Sequence, residues 1–87
     1  MGFNFEDKGF DDYNYWIHTD IRTVDKIIDL LKNIDRNGPL NGIGKPEKLK
    51  GRKGMYSRRI DKENRLVYKY SEGNTIILSC KGHYDNI

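Results

Sequence analysis

Ten residues in the middle of the chain, NGPLNGIGKP at 37–46, hold both of its prolines and three of its nine glycines. The apolar residues keep different rhythms on the two sides of this stretch. Before it, Ile21, Val24, Ile27, Ile28, Leu31 and Ile34 recur at helical spacing, and further upstream DDYNYWIH sets Tyr13, Trp16 and Ile17 on one helical face. Asp20 has the short acceptor side chain of a helix N-cap, and Gly38-Pro39 is a stop. After the stretch the period becomes two. GMYSRRI, RLVYKY and TIILSCK are short runs rich in aromatic and β-branched residues, joined by DKEN and SEGN, which reads as an antiparallel meander. Two helices followed by contiguous strands make the class α+β: a small twisted antiparallel sheet with two N-terminal helices packed on one face. FNF near the N-terminus is a candidate leading strand. With 87 residues and a hydrophobic share of 36%, the chain has material for one modest core, so residues 1–87 read as a single domain with 37–46 as an internal loop.

The first hairpin has a preferred pairing. A three-residue loop of Lys62, Glu63 and Asn64, with Asn64 in the left-handed conformation, would set Ile60 opposite Leu66. Arg59, Arg65 and Val67 would then share the face away from Ile60, Leu66 and Tyr68.

The net charge of +3 is unevenly spread. Residues 1–44 carry 5 basic and 8 acidic side chains, residues 45–69 carry 10 and 3, and residues 70–87 carry 1 and 2. The middle segment is therefore at +7, the footprint of a polyanionic partner such as nucleic acid, although a solvated basic face would look the same. The single cysteine, Cys80, rules out an intramolecular disulfide and points to a reducing compartment. IIDLL and TIIL fall far short of the roughly 20 apolar residues of a membrane span, and MGFNFEDKGF lacks the marks of a signal peptide. A cytoplasmic protein without membrane contact is expected.

Several chemistries lack their residues. His18, Cys80 and His83 match no zinc spacing, no serine elbow is present, and GIGKPEK does not follow a strand as a phosphate-binding loop would. No metal or cofactor is expected. What remains is Glu47, the Arg59 and Arg65 pair, and His83 after the last strand-like run. RNA cleavage suits that inventory, because the substrate's own 2′-hydroxyl is the nucleophile. The protein need supply only a base, an acid and fixed positive charge for the phosphorane, with a lysine such as Lys50 as a further source of charge or protons. Each residue also has a plainer reading: Glu47 as a solvated ion-pair partner, His83 as an exposed terminal residue, the arginines as solubilising charge. Pattern alone does not bring them into one cleft.

The stretches DDYNYW, GIGKPEKLK, YSRRIDKENRLVY and SCKGHY together resemble the YoeB (Txe/YoeB) family of bacterial toxins, within the wider RelE-like ribonuclease fold, from about Phe10 to Tyr84. The resemblance implies metal-independent cleavage of mRNA in the ribosomal A site, which inhibits translation. It makes Glu47 the general base and His83 the general acid, gives Arg59 and Arg65 the phosphate, and sets Lys50 and Tyr84 against the RNA. It also implies a YefM-like antitoxin whose C-terminal segment folds onto the toxin, a toxin homodimer, and DNA contact only through the antitoxin complex. A second reading keeps the same fold as a catalytically inactive module that serves antitoxin-bound transcriptional regulation. Four features depart from the family pattern: Asn64 where His is frequent, Gly82 where a bulkier residue is common, a GRKGM segment one residue shorter, and Asp85-Asn86-Ile87 after the His-Tyr pair.

Overall fold

The computed structural model describes residues 2–83. Strand β1 (Gly2–Phe5) leads into helices α1 (Asp7–Thr19) and α2 (Ile21–Asn37), and the chain then builds β2 (Glu47–Lys48), β3 (Met55–Arg59), β4 (Arg65–Ser71) and β5 (Asn74–Ser79). The five strands lie in the order β1-β5-β4-β3-β2. The class is α+β, and β3 to β5 form the expected antiparallel meander, while β2, which no strand-like run marked, adds an antiparallel edge beside β3. The leading strand pairs in parallel with β5, so the sheet is mixed at that edge.

Asp20 joins the helices. Its side chain accepts the Arg22 N–H at 3.1 Å and its own N–H closes α1 on the Trp16 carbonyl at 2.8 Å, so one residue stops one helix and starts the next. The apolar stripe of α2 lies on the sheet: Val24, Ile27, Leu30, Leu31 and Ile34 join Trp16 of α1, Leu66, Tyr68 and Ile77 of the strands, and Ile60 and Cys80 just past the ends of β3 and β5 in one core. Two residues of the sequence pattern fall outside it. Ile17 is 46% exposed and Ile21 60% exposed, because the first lies past the α1 face that turns to the sheet and the second begins α2 before it reaches the core.

Helix α1 packs directly on β5. A Cβ at Gly9 would collide with the Ile77 carbonyl oxygen, so glycine permits the close approach. Around Cys80 the same helix makes a set of specific bonds. Asp12 Oδ2 accepts the Cys80 N–H at 3.0 Å, Trp16 Nε1 donates to the Cys80 carbonyl at 2.8 Å, and the thiol lies 3.8 Å from the Gly9 carbonyl. Burial, reinforced by the Asp12 carboxylate, pushes the Cys80 thiol up to about 12 from 9.0.

The β3–β4 hairpin differs in register from the expectation. Arg58 lies opposite Leu66 and Arg59 opposite Arg65, with Ile60 donating its N–H to the Asn64 carbonyl at 3.0 Å. Asn64 is not left-handed. Instead, Asp61 folds the loop, its Oδ1 accepting the N–H groups of Glu63 and Asn64, each at 2.8 Å. The shift is two residues, an even number, so each side chain keeps the face the sequence pattern gave it.

Candidate active site

Pairing places Glu47 of β2 beside Ser57 of β3, which in turn pairs with Val67 of β4, and Arg59 directly across from Arg65. These side chains share the sheet face turned away from the helices, where Leu49, Val67 and Leu78, flanked by Met55 and Ile76, form a small second apolar cluster. A register irregularity between Val67 and Tyr68 gives β5 one extra residue, Leu78, as Val67 faces Ser79 and Tyr68 faces Ile77. Alternation along β5 sets Leu78 and Ile76 in this cluster and Ile77 in the main core.

Glu47, Ser57 and Arg65 are one bonded group. An Arg65 guanidinium nitrogen, Nη2, lies 3.3 Å from Glu47 Oε1, Arg65 Nε donates to Ser57 Oγ at 3.1 Å, and that hydroxyl donates to Glu47 Oε1 at 3.5 Å. Ser57 is fully buried and the Arg65 side chain only 12% exposed, whereas Glu47 is 50% exposed. The cation is held from below and the carboxylate is presented to solvent. Opposite Arg65, Arg59 is exposed. Two like charges directly across a strand pair repel, and the single Glu47 carboxylate beside them leaves net positive charge suited to an anion.

The remaining candidates stand at its border. Lys50 is exposed in the connection from β2 to β3, among Lys48, Arg52 and Lys53. His83 is exposed and does not ride on a strand: β5 ends at Ser79 and the chain bends through Cys80 to Gly82. Gly82, at φ +80°, accepts the Arg65 N–H at 3.0 Å and donates its own to Asn64 Oδ1 at 2.9 Å. The backbone that carries His83 thus begins alongside Arg65. Tyr84, with Asp85 to Ile87, lies outside the described residues. The structure therefore joins Glu47 to Arg65, sets Arg59 across from Arg65, leads His83 toward the same end of the sheet, and leaves Lys50 on the neighbouring loop.

Residues 5–84 match the family model of the YoeB-like toxin of bacterial type II toxin-antitoxin systems. The chain belongs to this family. It is 44% identical over 81 residues to Toxin YoeB of Escherichia coli strain K12, an alignment covering 92% of this chain and 95% of that one. Among solved structures it superposes on the YoeB dimer of Staphylococcus aureus with a TM-score of 0.92 and on the heterotetrameric YoeB-YefM complex of the same organism with a TM-score of 0.90. Both are 52% identical and cover 97% of this chain and 98% of theirs. This YoeB-family chain is accordingly a toxin of a type II toxin-antitoxin system.

Two residues that hold the YoeB-family site together escaped the reading of the sequence. Ser57 bridges Glu47 and Arg65, and nothing in YSRRI marked it. Arg58 is 0% exposed and its five N–H donors all find acceptors: Tyr68 Oη at 3.0 Å, Asn33 Oδ1 at 2.7 Å, and the carbonyls of Ile43, Gly38 and Asn41 at 2.9, 2.9 and 2.8 Å. A buried cation is costly unless so satisfied, and here loop carbonyls and the C-terminal end of α2 replace a carboxylate. Burial raises the Tyr68 phenol above its usual range, an effect that Arg58 partly offsets, and its hydroxyl donates to the Pro39 carbonyl at 2.6 Å. A signal was present: strict alternation sets Arg58 with Tyr56 and Ile60 on the core face, where an arginine needs acceptors, and the 37–46 loop supplies them.

Proposed function

We propose that this toxin is a metal-independent endoribonuclease that cuts mRNA in the ribosomal A site and so inhibits translation. The observation that carries the reading is the Glu47–Arg65 pair on the helix-free sheet face, its carboxylate open to solvent over a largely buried guanidinium, with Arg59 across the strand. In the proposed reaction Glu47 takes the proton of the 2′-hydroxyl, whose oxygen attacks the adjacent phosphorus. The phosphorus–O5′ bond breaks, and His83 gives a proton to the departing oxygen. The products are a 2′,3′-cyclic phosphate and a 5′-hydroxyl. Arg65 and Arg59 offset the charge that grows on the phosphorane, and Arg65, pinned by Ser57, is already oriented for it. Lys50 and its basic neighbours track the polyanion, and Tyr84 contacts the RNA.

The relatives suggest the partners. A YoeB of S. aureus forms a heterotetramer with YefM and another structure from that organism is a YoeB dimer. We assign this chain a YefM-like antitoxin, homodimerisation, DNA contact only through the antitoxin complex, and a cytoplasmic site of action. Phe10, Tyr15, Ile17, Ile21, Leu40 and Ile43 are large apolar side chains exposed to solvent, material for such protein contacts.

The test uses purified toxin, ribosomes programmed with a defined mRNA, and mapping of new 5′ ends. Wild type cuts within the A-site codon, and Glu47→Gln or His83→Ala slows the cut by roughly 10²–10⁴-fold, the range for general acid–base catalysis. Full-rate cutting by His83→Ala would remove the histidine from the reaction. No cutting by wild type, with antitoxin binding intact, would leave a regulatory binding module instead.

A further inference from the structure

The strand leading to His83 ends four residues before it, so something other than sheet pairing must hold the histidine in place. Two clamps act on the intervening chain. At Cys80 both backbone groups are bonded to α1, the N–H to Asp12 and the carbonyl to Trp16. At Gly82 both are bonded to the start of β4, the carbonyl to the Arg65 N–H and the N–H to the Asn64 side chain. The Arg65 bond is backbone to backbone and would survive any side-chain change. The Asn64 bond depends on one amide oxygen.

That oxygen is aimed. Asn64 Nδ2 donates to Asp61 Oδ1 at 3.0 Å and is 3.2 Å from Oδ2, which settles which end of the amide faces Gly82. Asp61 is in turn held by the N–H groups of Glu63 and Asn64. Gly82 itself sits at φ +80°, where glycine is at ease but also has most freedom to leave. A tether on its N–H therefore limits where the next residue goes.

We propose that Asn64, oriented by Asp61, is a positioning residue for His83: it locks Gly82 so that the imidazole meets the leaving oxygen. The proposal rests on the reading of His83 as the general acid. Asn64 touches no reacting atom in this scheme. Misplacement by about 1 Å can cost on the order of 10²-fold in rate, so the tether acts on turnover more than on RNA binding.

The test pairs kinetics on programmed ribosomes with amide hydrogen exchange of the free toxin. Asn64→Ala is expected to lower kcat by roughly 10- to 100-fold with KM little changed, and to speed exchange at Gly82. Asn64→Asp is expected to behave the same way, since its carboxylate would face that of Asp61. The exchanged pair, Asp61→Asn with Asn64→Asp, restores an acceptor toward Gly82 and a donor at 61, and should recover both kcat and Gly82 protection. Wild-type kcat in Asn64→Ala while His83→Ala is dead would overturn this inference alone. So would an exchanged pair that recovers Gly82 protection without recovering kcat. Full activity in His83→Ala would overturn the underlying reading instead, and Gly82 exchange would still report whether the tether exists.

Discussion

The three arginines of the hairpin have one side-chain chemistry and three roles, set by which way the strand turns them and what they meet. Arg58 faces the core and spends all five donors on the 38–43 loop, Asn33 and Tyr68. Arg65 faces the other way and is pinned by Ser57 and Glu47, while Arg59 stays open. Replacing Arg58 by Met removes all five of these bonds from Tyr68, Asn33 and the partly buried loop carbonyls and is expected to cost roughly 1–3 kcal/mol, read as a fall in the denaturant midpoint with an unchanged slope. Arg59→Ala should change stability by no more than about 0.5 kcal/mol while impairing cleavage, which separates the site from the scaffold. Cys80 gives a pH prediction. Its folded pKa is raised, so the thiol's contribution is complete below the unfolded value of 9.0 and is lost as pH climbs toward about 12. Stability should fall across that window by up to about 1.4 kcal/mol per pH unit from this group. Cys80→Ala should flatten the slope without abolishing it, because Tyr68 is shifted in the same direction.

At the level of elements, the helices, the Asp20 N-cap of the second and the three C-terminal strands were all legible, because each rests on local periodicity and local side-chain chemistry. Parity was legible too: Arg59 and Arg65 came out on one face because alternation survives a register error of two. The register itself was not, since Asp61 closes the β3–β4 loop with side-chain bonds that compete with the left-handed asparagine turn. Nor was the parallel pairing of β1, which depends on where α1 and α2 return the chain. For the candidate site, charge pattern and resemblance singled out Glu47, Arg59, Arg65 and His83, and the fold sets the first three on one sheet face. Ser57 and Asn64 act through contacts that exist only after the strands have paired. Asn64 and Gly82, 18 positions apart in the chain, prove to be bonded to each other. The helix–sheet contact has its own test. Gly9→Ala forces α1 away from the Ile77 carbonyl and should cost about 1–3 kcal/mol, measured by thermal or denaturant unfolding.

Across the whole molecule, structure and charge are divided between the two sheet faces. The helices cover one face with the main core; the other carries a small apolar cluster, the Glu47–Arg65 pair and the end of the basic segment. The hairpin belongs to both: Arg58 ties it to the loop after α2, and the next residue turns to the helix-free face. The proposal that the helix-free face directs a 2′-hydroxyl at its own phosphate is tested most directly on the substrate. Toxin is mixed with ribosomes carrying either an ordinary mRNA or the same mRNA with a single 2′-O-methyl group at the cleaved A-site nucleotide, and the 5′ ends are mapped. The ordinary message should be cut to a cyclic phosphate and the methylated one should stay whole at that position; equal cutting of both would contradict the mechanism.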